Sequence, residues 1–254
     1  MKFKKAIIIG ATSGIGKALA FKLAREGYDL GLTGRRGGLL QELQRALIQP
    51  GVDAGGVVVS IKEMDVAKTE EAQQLFKELV AEMGEVDLVV ICAGVGLSST
   101  RPSWQIDRKV IEVNVLGFVA MMTAAAEYFC KKGNGHIVGI SSVAAFLYHG
   151  SSSAYPASKA FVMNYMKGLR LKLKRIQPKI YITDIRPGYV DTPMVEHIKF
   201  KPFLITAEKA ADLIYKAITK KKRSAYVPWR TGVAANFYGF LLRVWPDFFE
   251  RFLK

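Results

Sequence analysis

The chain has 254 residues, half of them apolar and 23% charged, with 9 prolines and 23 glycines; this composition excludes a disordered chain and a repetitive fibre. The net charge is +15, and the excess lies late: residues 1–166 hold 18 basic against 15 acidic side chains, residues 167–254 hold 19 against 7, or +3 and +12. A basic end of this kind attracts a phosphorylated ligand, an anionic membrane surface or nucleic acid, and composition alone does not choose among them.

The basic start at residues 1–5 precedes an apolar run at 6–9 that is too short for a leader and ends in a glycine-rich turn, so it reads as a first strand. Further β-branched runs follow at 29–33, 57–61, 88–91, 137–140, 180–185 and 225–227. Between them the apolar residues recur at helical spacing, as in Leu75, Leu79 and Val80, with breaks at Gly27, Gly84 and Gly133. Unbroken apolar strands separated by helices predict an α/β fold: one doubly wound domain with a seven-stranded, mostly or wholly parallel sheet covered by helices on both faces. Its expected extent is 1–231, with a lid at 189–206 and an aromatic extension at 232–254. No run of about 18 uninterrupted apolar residues suggests a spanning helix. Cys92 and Cys130 cannot staple a domain of this size, which points to a reducing cytoplasm.

The first strand runs into Gly10-Ala11-Thr12-Ser13-Gly14-Ile15-Gly16, followed by a helix. Glycines there permit a tight turn and let a pyrophosphate approach backbone N–H groups at the positive end of the helix. The spacing differs from G-x-G-x-x-G, so a simple packing turn is the other reading; the strand-turn-helix context favours a nucleotide site. The second strand ends in Leu32-Thr33-Gly34-Arg35-Arg36. An acid at that end suits the ribose hydroxyls of NAD, whereas arginine suits a 2′-phosphate. NADP is therefore expected, with NADPH preferred over NADH and Arg35 assigned to the phosphate, unless the arginine pair only caps a solvated turn. After the third strand, Asp65 and Val66 stand where adenine would be met, although an Asp there equally caps the next helix.

Tyr155-Pro156-Ala157-Ser158-Lys159 puts a phenol and an ammonium at i and i+4, on one helical face. A cation about 4 Å away is worth up to roughly 4 kcal/mol at an effective dielectric of 20, on the order of two to three pKa units, enough to make a tyrosine a usable acid. Such a pair alone is common on ordinary helices. Ser142 adds a hydroxyl at the carboxyl end of the fifth strand, 13 residues upstream, where an open α/β sheet faces its ligand. Strand alternation turns Ser141 away. Asn114 is a polar residue inside an apolar helical segment and needs partners if buried.

In order and spacing, Gly10-x3-Gly14-x-Gly16, Asn114, Ser142, Tyr155-x3-Lys159 and Pro187-Gly188 resemble the short-chain dehydrogenase/reductase family over residues 4–228. The resemblance implies a Rossmann domain in which Tyr155 gives a proton to a substrate carbonyl as hydride arrives from the nicotinamide and Ser142 holds the developing alkoxide. It also implies that Lys159 lowers the Tyr155 pKa and holds the nicotinamide ribose, and that Asn114 supports a water relay to Lys159. Ala93 and Gly94 would border the cofactor, with Val190 and Thr192 near its carboxamide. A homodimer or homotetramer is implied as well. The family's Thr before the first glycine is Ile9 here, and its Asn-Asn after the fourth strand is Ile91-Cys92, which weakens the bracing of those turns. Cys92 reads as a small apolar filler.

His136, His149 and His197 are far apart with no ligand spacing, so no metal is expected. Phe146, Tyr148 and His149 lie on the loop between Ser142 and Tyr155 and can line a pocket. The tail with Phe237, Phe240, Leu241, Trp245, Phe248, Phe249 and Phe252 suits a lid, a subunit interface or an anionic membrane contact. Lys220-Lys221-Lys222-Arg223 reads as a solvated turn, and no nucleic-acid motif is present. The expected substrate is an apolar or lipid-like carbonyl or alcohol. The alternative function is a catalytically silent nucleotide sensor or scaffold.

Overall fold

The computed structural model describes residues 4–49, 56–99, 101–147 and 152–244. Seven strands, β1 (Lys4–Ile9), β2 (Tyr28–Gly34), β3 (Val59–Glu63), β4 (Leu88–Ile91), β5 (Gly135–Ile140), β6 (Ile180–Pro187) and β7 (Ser224–Val227), form one sheet in the order β3-β2-β1-β4-β5-β6-β7. All pairings are parallel. The chain winds outward from β1 in one direction, then returns to β4 and winds in the other, so β1 and β4 flank the point of reversal, where open α/β sheets bind ligands.

Alternation along β1 explains why its run is apolar throughout. Ile8 packs with the helices of one face, while Ile7 and Ile9 pack into the core of the other. Helices α1 (Gly14–Arg25), α2 (Gly37–Ile48) and α7 (Ala207–Thr219) supply the first core. The second comes from α3 (Thr69–Met83), α5 (Phe118–Lys132) and α6 (Ala154–Ile176). Before α5, α4 (Trp104–Ile111) and a π-helical turn (Glu112–Gly117) complete one continuous rod. By length and composition the stretch Trp104–Lys132 would cross a membrane, but it is mostly buried in the protein and serves as a core helix.

Several strands begin or end a residue or more away from the sequence reading. β3 is shifted two residues towards Glu63, because the ladder continues through Lys62 and Glu63 opposite Thr33 and Gly34; an edge strand needs no apolar residue there. The segment after β6 is stitched at its base by Val190 beside Ile205, with Asp191 N donating to the Ile205 carbonyl and Ile205 N to that of Tyr189. The last helix, α8 (Trp229–Val244), starts before residue 232, so the boundary at 231 falls inside it. Thr231 and Ala235 of this helix are buried. Residues 245–254 lie outside the described residues.

Candidate active site

The cleft at the carboxyl ends of β1 and β4 is floored by the glycine turn. Gly10 has φ +92°, and a Cβ there would come within 2.6 Å of Ala93 N; one on Gly16 would collide with the Gly10 carbonyl oxygen. The turn packs α1 directly against the strand ends, so its first N–H groups open into the cleft. Ser13, at the N-cap, makes no side-chain capping bond, and the first turn of α1 has no acid, so the positive helix end is free to meet an anion. Thr33 Oγ1, on the cleft wall, is a fully buried hydroxyl with no partner among the described residues. A phosphate-bearing dinucleotide fits these features.

Of the residues expected at the cofactor, Gly10, Thr12, Ser13, Gly14, Ile15, Arg35, Arg36, Val66, Ala93 and Gly94 line this cleft, as do Tyr155, Lys159, Pro187, Gly188, Val190 and Thr192. Gly16, Asp65 and Asn114 do not. Gly16 is the packing residue behind the turn. Asp65 folds onto its own loop, Oδ1 accepting from Ala67 N at 3.0 Å; it does not cap α3, whose N-cap is Lys68 with no side-chain capping bond. Of the two arginines, Arg36 is the one that reaches the glycine turn: its Nη2 donates to Thr12 Oγ1 at 2.7 Å and Ser13 Oγ at 2.9 Å. Sequence reading passed over Glu63, whose carboxylate lies against Gly37 at the amino end of α2.

At the other end of the cleft stand Ser142, Tyr155 and Lys159. Ser142 follows β5 by two residues and caps a short 3-10 turn, Val143–Phe146; its Oγ accepts from Ala144 N at 3.1 Å and donates to the Pro187 carbonyl at 3.4 Å. Burial holds the Tyr155 phenol above its ordinary value, outweighing the lowering influence of Ser142, and Tyr189 adds to the rise. That direction is opposite to the expectation. Lys159 Nζ lies 5.7 Å from the Tyr155 ring centroid and donates to the Ile140 carbonyl at 3.2 Å. Desolvation brings Lys159 down to about 8, against weaker opposing effects of Cys92 and Asp184. Burial pushes the Cys92 thiol up to about 12, in keeping with an inert filler.

Asn114 sits on the π-helical turn, 1% exposed, with its amide engaged. Oδ1 accepts from Val95 N at 2.8 Å; Nδ2 donates to the Val95 carbonyl at 2.9 Å and to Ser158 Oγ at 3.1 Å. It clamps the loop after β4 to α6 behind Lys159. Ser141 faces away as expected, its hydroxyl directed to Asp184 and to the Ile185 carbonyl. From the segment after β6, Met194 reaches over the cleft and packs on Gly96 beside Tyr155; nothing in the local sequence marked it. Phe146 faces Arg186 and Tyr226. Tyr148 and His149 lie outside the described residues.

A doubly wound parallel sheet with a glycine turn at its point of reversal, and a serine, tyrosine and lysine at the far end of the same cleft, defines the short-chain class of oxidoreductase. The chain belongs to the short chain dehydrogenase family, whose sequence profile matches residues 4–201. An uncharacterized oxidoreductase of Myxococcus xanthus is 35% identical over 236 residues, covering 92% of this chain and 90% of that protein. An alcohol dehydrogenase from the archaeon Thermococcus sibiricus, solved with 5-hydroxy-NADP, superposes with a TM-score of 0.78 at 26% identity, covering 90% and 98% of the two chains. A short chain dehydrogenase/reductase from Burkholderia phymatum, solved with NAD, gives 0.85 at 23% identity over 96% and 95%, a likeness of fold.

Proposed function

We propose that the protein is a carbonyl reductase or alcohol dehydrogenase that prefers NADPH and acts on an apolar carbonyl or alcohol. The observation carrying this reading is that Ser142, Tyr155 and Lys159 share one cleft with an uncapped helix end and Arg36. When bound, the nicotinamide supplies the hydride to the carbonyl carbon. Tyr155, kept protonated by burial, gives its phenolic proton to the carbonyl oxygen, while Ser142 Oγ stabilises the charge developing there. Lys159 and Asn114 support the site, Lys159 as the cation that would hold the cofactor's ribose and Asn114 as the clamp of the β4 loop. Met194 and the apolar walls favour a substrate with hydrocarbon beside its carbonyl. The intact Tyr155 and Lys159 speak against a silent sensor or scaffold.

For the 2′-phosphate the reading rests on Arg36, with Arg35 beside it, and on the small Gly34 at the strand end. Glu63 favours a second reading, NAD, since a carboxylate at the amino end of α2 would repel a phosphate. A paired titration with NADPH and NADH, followed by nicotinamide fluorescence, separates the two. The expected result is tighter NADPH binding that weakens roughly tenfold or more in Arg36→Ala with NADH nearly unchanged, a loss in keeping with one charge-assisted hydrogen bond. Tighter NADH binding that weakens in Glu63→Gln would establish the second reading, and binding of neither would end the reductase assignment.

A further inference from the structure

Helix α8 has two faces in opposite surroundings. One is seated on the domain: Thr231 and Ala235 are buried, and a Cβ on Gly239 would come within 2.9 Å of the Phe146 carbonyl oxygen. The other carries Trp229, Val233, Phe237, Phe240 and Val244 at spacings of four, four, three and four residues, a single stripe. All five are exposed, Trp229 at 67% and Phe237 at 65%. Scattered apolar residues on a surface need no explanation, but a continuous aromatic stripe does.

The charge around the stripe indicates what covers it. No acid occurs between Ser224 and Val244, and the helix has two charged residues, Arg230 and Arg243; the Arg230 guanidinium lies 5.9 Å from the Trp229 ring centroid. A second copy docked stripe to stripe would cover Arg230, which lies beside Trp229 of the stripe, with no carboxylate on the helix to answer it, and an unanswered charge in an interface is unfavourable. A second exposed apolar group, Phe200, Phe203 and Leu204, leaves the same edge of the sheet after β6, beside Lys199 and Lys201. Phe203 holds a positive φ of 57°, a conformation that a bulky aromatic residue adopts only at a cost.

We propose that α8 docks the protein on an anionic bilayer surface, the Trp229–Phe237–Phe240 stripe entering the boundary between headgroups and acyl chains while Arg230 and neighbouring basic residues meet lipid phosphates. Aromatic side chains suit that boundary, and anionic headgroups answer the basic side chains beside it. The helix follows the carboxyl end of β7, the same end of the parallel sheet as the cleft.

The test is flotation of the full chain with phosphatidylcholine vesicles, with and without phosphatidylglycerol, beside light scattering for oligomeric state. No substrate is present, so the result stands apart from the reductase reading. The wild type is expected to float with the phosphatidylglycerol vesicles and to lose binding in high salt. Trp229→Ser combined with Phe237→Ser should lower the bound fraction at least tenfold, and Arg230→Glu should weaken binding to the anionic vesicles, both with cofactor titration retained. Failure of the wild type to float even at low salt would overturn the proposal, as would flotation that the double variant leaves unchanged. A double variant that instead breaks an oligomer would overturn it in favour of a second copy.

Discussion

Ser141 and Asp184 join the strand end that carries Ser142 to the interior of β6: the Ser141 hydroxyl donates to Asp184 Oδ1, and Arg186 Nε donates to Oδ2 at 2.6 Å. Asp184 is 1% exposed. The Arg186 guanidinium lies 5.6 Å and 5.2 Å from the Phe146 and Tyr226 ring centroids and donates to the Tyr226 hydroxyl, which also accepts from Asn236 of α8. One ion pair thus holds β6, β7, the turn after Ser142 and the last helix together.

Removing one member of such a pair strands a charge. Asp184→Asn is expected to lower the unfolding free energy by about 3 kcal/mol, with a similar loss for Arg186→Met, because the remaining charge is buried without its partner. The double variant should lose clearly less than the sum. Urea unfolding of the four proteins measures the coupling; strict additivity would show that the two side chains act independently.

Tyr155→Phe removes the proposed proton and little else, since the ring stays. Carbonyl reduction should fall by on the order of 10² to 10⁴, while the cofactor titrates as in the wild type. A reductase rate that survives within a factor of a few would mean that the proton comes from another group.

Much of this site was readable in advance, and the missing parts share a cause. The glycine turn, Ser142 and Tyr155-x3-Lys159 are local patterns, in which spacing along the chain already sets the geometry. Arg36 rather than Arg35 reaches Thr12 and Ser13 because of the backbone path out of β2, which the residue names do not encode. The Tyr155 phenol lies above its ordinary value because burial, a property of the whole fold, outweighs the lowering influence of Ser142. Asp184 and Ser141 are 43 residues apart in sequence, and only the β5–β6 register brings them together. Edge position moved β3, and the start of α8 is held by Thr231 packed against Gly188.

Lys159 gives the reaction a pH dependence of definite sign. Desolvation lowers it to about 8, with Cys92 and Asp184 opposing, so it is a cation below that value and neutral above it. If the cation supports reduction, kcat falls as pH rises through about 8, well before Tyr155 gives up its proton. Rates measured from pH 6 to 10 should show this limb in the wild type, and Lys159→Met should be slower throughout and lack it. A limb that persists in Lys159→Met would belong to a different group.

Near the amino end of β5, an interior strand, His136 should govern acid stability. It is 7% exposed, and its Nε2 lies 2.8 Å from Thr183 Oγ1. The Thr183 hydroxyl donates to the Lys222 carbonyl, so it accepts from His136 Nε2–H, which fixes the neutral tautomer. Burial chiefly, with Lys221 adding, lowers His136 from 6.5 to about 4. Between those values the unfolded chain binds the proton and the folded chain does not, so stability is whole above pH 6.5 and declines as pH falls towards 4. A shift of this size corresponds to roughly 3 kcal/mol by linkage. His136→Gln keeps a donor for Thr183 but cannot titrate, so its unfolding free energy should decline less over that window. Parallel curves for variant and wild type from pH 7 to 4 would show that His136 is not the group responsible.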